Sequence, residues 1–204
     1  MVRTAVLVSG GGRNLQAIID SRLFGEIPNC DLCAVISSHE GAYALTRASA
    51  ANIDTYVVAR ELFPNDHSWG EAIFHKLRDL DIELVVLAGF EHALPEAAIK
   101  HYKNRIINVW PSLLPAFAGP EDPHTAAIEY GVHITGATAY FVTEQPCRGP
   151  IIMQQAVEIA PDDTPAQLHD KIMEQAEWSI LPRAVALYCT GALTVENGKV
   201  KINE

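Results

Sequence analysis

Cysteine is scarce in this 204-residue chain, which holds only Cys30, Cys33, Cys147 and Cys189. Four thiols at this length do not make a disulfide-stapled scaffold. Cys30 and Cys33 form a C-x-x-C, but no second such pair or histidine pair follows to complete a zinc set. They read as two half-buried strand cysteines, and no metal site is assigned. Long apolar runs are also missing: the longest, such as Leu84 to Phe90, fall far short of the ~20 residues of a membrane span. The first apolar run breaks into glycines after Val8, too early for a signal peptide. Positive charge is the third shortage, with 15 Lys and Arg against 25 Asp and Glu, a net charge of −10. Such a surface repels phosphate backbones and anionic membranes. The expectation is a cytoplasmic protein with neither nucleic acid nor membrane as partner.

What is present is ordinary globular composition, 49% apolar and 20% charged, with 13 Gly and 12 Pro. The length suits one domain over residues 1–204. Thr4–Val8 and Leu84–Ala88 read as short buried strands, and Cys33–Ser37, Thr55–Val58 and Arg105–Val109 as further strands. Helical patterns follow the glycine turn after Val8 and run over Gly41–Ala51 and Trp69–Leu80. This alternation predicts an α/β fold, a Rossmann-like and mostly parallel sheet with helices on both faces. Beyond Ala98 the pattern changes. A loop spans Pro111–Pro123, and Val132–Val142 with Ile151–Ile159 reads as an antiparallel pair. A long helix over Pro165–Cys189 is expected to be interrupted at Pro182, and a hairpin turns on Asn197-Gly198.

Three segments carry candidate chemistry. Ser9-Gly10-Gly11-Gly12-Arg13-Asn14 lets the backbone approach a ligand and aims the free N–H groups of the next helix at it, which suits a phosphate. A plain turn is the alternative, and the spacing departs from nucleotide triphosphate loops. Asn108 ends a strand before the proline-braced Trp110-Pro111-Ser112-Leu113-Leu114-Pro115, where its amide can polarise a carbonyl or form a local turn. Cys147 beside Arg148 is either an activated thiol or, as most are, an unreactive one.

Together these motifs resemble the phosphoribosylglycinamide (glycinamide ribonucleotide) formyltransferase family, the folate-dependent formyl transferases of purine synthesis. The resemblance rests on S-G-x-G-x-N-L-Q from Ser9, V-V-L-A-G-F to Phe90, N-x-x-P-S-L-L-P from Asn108, F-V-T…G-P-I-I-x-Q from Phe141, and E-W-x-I-L-P from Glu177. It runs from residue 3 to about residue 202. It implies a ribosyl phosphate on Gly12, Arg13 and Asn14, and ribose hydroxyls received by Glu177. The donor, 10-formyltetrahydrofolate, is implied to lie against Phe90, Glu91, His92 and Leu94 and the turn before Gly149. In the family's chemistry an Asn and a His stabilise the oxyanion while an Asp orients the His and assists proton transfer.

Only Asn108 of that trio is present. Trp110 stands at the His position and Cys147 at the Asp position; an indole has no titratable proton near pH 7, and a thiol accepts only weakly and, if neutral, cannot stabilise a developing cation. Tyr140 replaces a further family histidine. Asp66, Glu91 and Glu121-Asp122 put negative charge where the family receives a folate with an anionic tail. Changes confined to the pocket predict impaired or redirected formyl transfer. The alternative is a catalytically silent paralogue that binds a phosphorylated ribosyl ligand or nucleotide. A nucleophilic Cys147 is a third reading, and His124 and His133 are the remaining histidines near the site.

Overall fold

The computed structural model describes residues 1–203. Its centre is a seven-stranded sheet in the order β3-β2-β1-β4-β5-β6-β7. Strands β1 (Val2–Val8), β2 (Cys30–Ser37), β3 (Asp54–Val57), β4 (Leu84–Leu87) and β5 (Ile106–Trp110) pair in parallel. Strand β6 (Ile134–Phe141) is antiparallel to β5, and β7 (Ile151–Glu158) is antiparallel to β6. The order reverses between β1 and β4, which opens a crevice at the carboxyl ends of these two strands. The fold class expected from the alternation is the one observed. A separate hairpin, β8 (Leu193–Glu196) with β9 (Lys199–Ile202), closes the described chain.

Period-two alternation divides the core between the two faces of the sheet. Val6 and Val8 of β1 join Leu15, Ile18, Ala44, Ala48, Leu168 and Leu181 on one side. Those residues belong to α1 (Arg13–Leu23), α2 (Tyr43–Ala50), α6 (Pro165–Ile172) and α7 (Trp178–Cys189). Ala5 and Leu7 join Trp69, Ile73, Leu77, Ala98 and Tyr102 on the other. These lie on α3 (Asp66–Asp79) and α4 (Glu96–His101), apart from Tyr102, which follows α4. Trp69 is 1% exposed and its Nε1 donates to Val58 O at 2.7 Å, so the largest core side chain on that face is also hydrogen-bonded. The C-x-x-C pair falls on opposite faces, Cys30 in the first cluster and Cys33 against the second, and all four cysteines are free.

Two helices were not expected from the sequence, α4 and α5 (Pro123–Tyr130). Pro182 does not interrupt the C-terminal helix; it lies inside α7. The irregularity comes one turn earlier, as a π-helical segment over Met173–Glu177 in which neighbouring Ala176 and Glu177 are both buried. Among the described residues no helix is long and apolar enough to cross a membrane.

Candidate functional site

The glycine turn follows β1 directly. Gly12 has φ 70° and begins α1 without a side-chain cap. A Cβ there would lie 2.6 Å from Ala44 Cβ and 2.8 Å from Ala44 Cα, so both conformation and space require glycine. The first intrahelical bond runs from Gln16 N to Gly12 O at 2.9 Å, which leaves the N–H groups of the first turn available to an anion. Ser9 ties the turn to its neighbours. Its N–H donates to Gly89 O at 3.0 Å, and its hydroxyl accepts from Ser38 Oγ at 2.8 Å and from Glu91 N at 3.0 Å. The ends of β1, β2 and β4 thus meet at one serine.

The two polar residues after Gly12 take different routes. Asn14 is buried and its Nδ2 donates to Glu177 Oε2 at 2.6 Å, 163 residues away in sequence. Its Oδ1 is buried without a partner. Burial pushes the Glu177 carboxyl up, against the opposing hydrogen bond from Asn14. Arg13 points outward to α6, where Nη1 donates to Asp170 Oδ1 at 2.7 Å and Nη2 lies 2.8 Å from His169 Nε2. His169 Nδ1 lies 3.4 Å from His124 Nε2, and His124 Nδ1 lies 3.2 Å from Asp122 Oδ1. Sequence reasoning singled out Arg13 and His124 but missed His169 and Asp170. No local pattern marks them, because only the docking of α6 beside α1 brings them in.

Arg47 of α2 braces the same turn, donating from Nε to Gly11 O at 2.9 Å and from Nη1 to Gln16 Oε1 at 3.0 Å, with its guanidinium 4.9 Å from the Tyr43 ring centre. Arg13, Gln16, Ala17, Asp20, Arg47 and Trp178 line a cavity of about 400 Å³ on this flank.

At the end of β5 three of the residues singled out from the sequence, Asn108, Tyr140 and Cys147, form a row. Asn108 Nδ2 donates to Tyr140 Oη at 3.1 Å, and that hydroxyl donates to Cys147 Sγ at 3.8 Å. Asn108 Oδ1 is taken by the N–H of Val109 at 2.9 Å. Burial raises both the Tyr140 phenol, helped by the adjoining Cys147, and the Cys147 thiol. Arg148 lines a separate cavity with Lys100, Lys103 and Glu144. Trp110 donates from Nε1 to Phe117 O at 3.0 Å, folding the Pro111–Gly119 loop back on its own indole. The ring packs on the cluster of Leu114, Tyr140 and Cys147. His133 is exposed.

The loop after β4 is aromatic. Phe90 stacks on Trp69 with centroids 5.8 Å apart, and His92 meets the same indole edge-on at 4.7 Å. His92 Nε2 is buried without a partner, Leu94 is buried in the second core cluster, and Glu91 is exposed. Asp66 pairs with Arg60 at 2.6 Å, and Asp122 caps α5.

The sheet order, the glycine turn and the polar groups gathered at the strand ends define a doubly wound α/β protein organised around its switch-point crevice. Residues 2–185 match the formyl transferase family, and the chain belongs to it. It is 36% identical over 197 residues to the phosphoribosylglycinamide formyltransferase of Haemophilus influenzae, covering 97% of this chain and 92% of that protein. It is 38% identical over 201 residues to the human trifunctional purine biosynthetic protein adenosine-3, covering 97% of this chain but only 19% of that protein. The chain therefore spans about a fifth of that relative's length. The crystal structure of glycinamide ribonucleotide transformylase 1 from Symbiobacterium toebii superposes with a TM-score of 0.95 at 37% identity, covering 100% of this chain and 95% of the other. The resemblance drawn from the motifs is thereby confirmed at the level of family and fold.

Proposed function

We propose that this chain is a cytoplasmic, single-domain protein that binds a phosphorylated ribosyl ligand and transfers a formyl group from 10-formyltetrahydrofolate slowly. The phosphate sits on Gly12, Arg13 and Asn14, and the ribose hydroxyls on Glu177. The folate donor faces Phe90, Glu91, His92 and Leu94. Asn108 supplies one hydrogen bond to the oxyanion, and release of Tyr140 by its amide accompanies substrate binding. The observation that carries the reading is the row of half-buried Asn108 with buried Tyr140 and Cys147, whose hydroxyl and thiol are both held up in pKa, where the reaction needs an acid–base pair. Loss of a general acid–base group costs about 10²–10⁴-fold in rate. Two lost members that act as a unit need not multiply.

The test is formyl transfer onto glycinamide ribonucleotide, followed by tetrahydrofolate release beside the Haemophilus influenzae relative under the same conditions. We expect kcat/KM at least about 10²-fold below that relative, thermal stabilisation by the ribonucleotide, and a gain in transfer on Trp110→His with Cys147→Asp. Wild-type transfer at the relative's rate overturns the reading. A second reading, binding without turnover, is favoured by Trp110, whose indole is fixed on Phe117 O and packs on the cluster of Leu114, Tyr140 and Cys147. It predicts the same thermal stabilisation with no transfer at any enzyme concentration.

A further inference from the structure

Arg13 stands between two partners. Its present contacts are on α6, yet it is the first residue after the glycine turn. The chain of contacts running from it through His169 and His124 to Asp122 has one consistent arrangement of protons. A guanidinium only donates, so His169 Nε2 at 2.8 Å must accept. The His169 proton then lies on Nδ1, facing His124 Nε2 at 3.4 Å, which must accept in turn. The His124 proton lies on Nδ1, facing Asp122 Oδ1 at 3.2 Å. Both rings are neutral. Adding a proton to either ring sets a donor against a donor, at the His pair or at Arg13. The Arg13 contact and a protonated His pair therefore exclude each other.

From this we infer that phosphate binding at the glycine turn is coupled to proton uptake: the phosphate draws Arg13 away from His169, and His169 Nε2 then takes one proton from solvent. The inference rests on the phosphate reading of the turn given above. Arg13 moves at little cost, because the Asp170 carboxylate that it leaves is more than half exposed and exposed ion pairs contribute little. A phosphate offers it a bidentate, charge-assisted contact beside the free N–H groups of α1. The groups facing His169 are His124, Arg13, Asp170 and Asp122. Once Arg13 has turned, Asp170 and the phosphate oxygens are the nearest anions, and both favour the imidazolium. With Arg13 in place, burial first, with the guanidinium charge acting the same way, holds the His169 imidazole below the ordinary histidine value, so the ring starts unprotonated at neutral pH. Beside the Asp170 carboxylate and a phosphomonoester dianion, the Arg13 guanidinium leaves two negative charges uncompensated, and one new imidazolium offsets one of them. The ligand class that this wall selects is a phosphomonoester in its dianionic form.

The experiment is isothermal titration of the full chain with ribose 5-phosphate near pH 7.5, in buffers of different ionisation enthalpy. The slope of observed enthalpy against buffer enthalpy counts the protons exchanged. We expect uptake of roughly half to one proton per ligand bound in the wild type. His169→Asn keeps an acceptor for Arg13 but has no titratable nitrogen, and it should bind the ligand with no uptake. His169→Gln serves the same purpose should the asparagine variant fail to fold. Binding by the wild type without uptake, or uptake that persists in the His169 variants, overturns this inference and leaves the phosphate reading intact. Absence of ribose 5-phosphate binding overturns both.

Discussion

At Gly12 two demands coincide, since its φ of 70° disfavours a side chain and Ala44 occupies the space that a Cβ needs. Gly12→Ala should therefore cost about 2–4 kcal/mol, the sum of backbone strain and overpacking, read as a lower urea midpoint. Glycine is legible here because the pattern S-G-x-G-x-N names the turn by itself. The destination of Arg13 is not, since its partners come from α6, more than 150 residues on. Cys147 shows the opposite limit. Arg148 beside it in sequence suggests activation, but the thiol is buried and its pKa raised while Arg148 lines another cavity. Iodoacetamide should thus modify Cys147 more slowly than a free thiol at neutral pH, measured by peptide mapping, and faster reaction would revive the nucleophile reading. Glu177 carries the clearest pH signature. Burial raises its folded pKa above the unfolded value, so its contribution to stability is full below the unfolded carboxyl range. That contribution is lost as pH rises through the folded value. In the absence of ligand, Glu177→Gln should flatten this decline and raise the urea midpoint near pH 8, since an amide oxygen still accepts from Asn14.

Among the elements, strands and long helices are readable because their apolar residues repeat at periods of two and 3.6. The short α4 has six residues, too few to show a period. Helix α5 carries its start signal inside a stretch whose prolines and glycines read as loop: Asp122 accepts from the N–H groups of His124 and Thr125, and Pro123 sits in the first turn. The hydroxyl of Thr125 first, then its N–H, push the Asp122 carboxyl down to about 2. Asp122→Ala should cost about 1 kcal/mol through the lost cap. Because the folded pKa is lowered, that difference should be present above the unfolded value near 4 and vanish as pH falls through about 2, a window that urea melts across acidic pH can trace. The π segment is invisible to pattern reading, since its residues are compatible with a regular helix. It is where Glu177 turns inward to meet Asn14.

The net charge of −10 acts on the whole molecule. Sequence reasoning put part of this excess around the folate side, and the fold redistributes it. Asp66 is paired with Arg60 and Asp122 is engaged at the start of α5, whereas Glu91 stands exposed at the end of β4. Its backbone N–H is anchored on Ser9, so the residue cannot drift far from the crevice. On the proposed reading, a folate with an anionic tail approaches a like-charged molecule with an exposed carboxylate at the mouth, carried on a backbone tied to Ser9. Raising ionic strength from about 0.01 M to about 0.1 M shortens the Debye length from about 30 Å to about 10 Å and screens that repulsion. Binding of a glutamate-tailed folate analogue should accordingly tighten by a few-fold over this range, and Glu91→Gln should reduce the salt effect. A phosphorylated ribosyl ligand held by Arg13 and the α1 N-terminus should show the reverse, weakening as salt is added. If fluorescence titration instead finds folate binding weakened by salt, the folate side is held by cations and not opposed by carboxylates, and the division of the crevice into a retained phosphate end and an altered folate end is wrong.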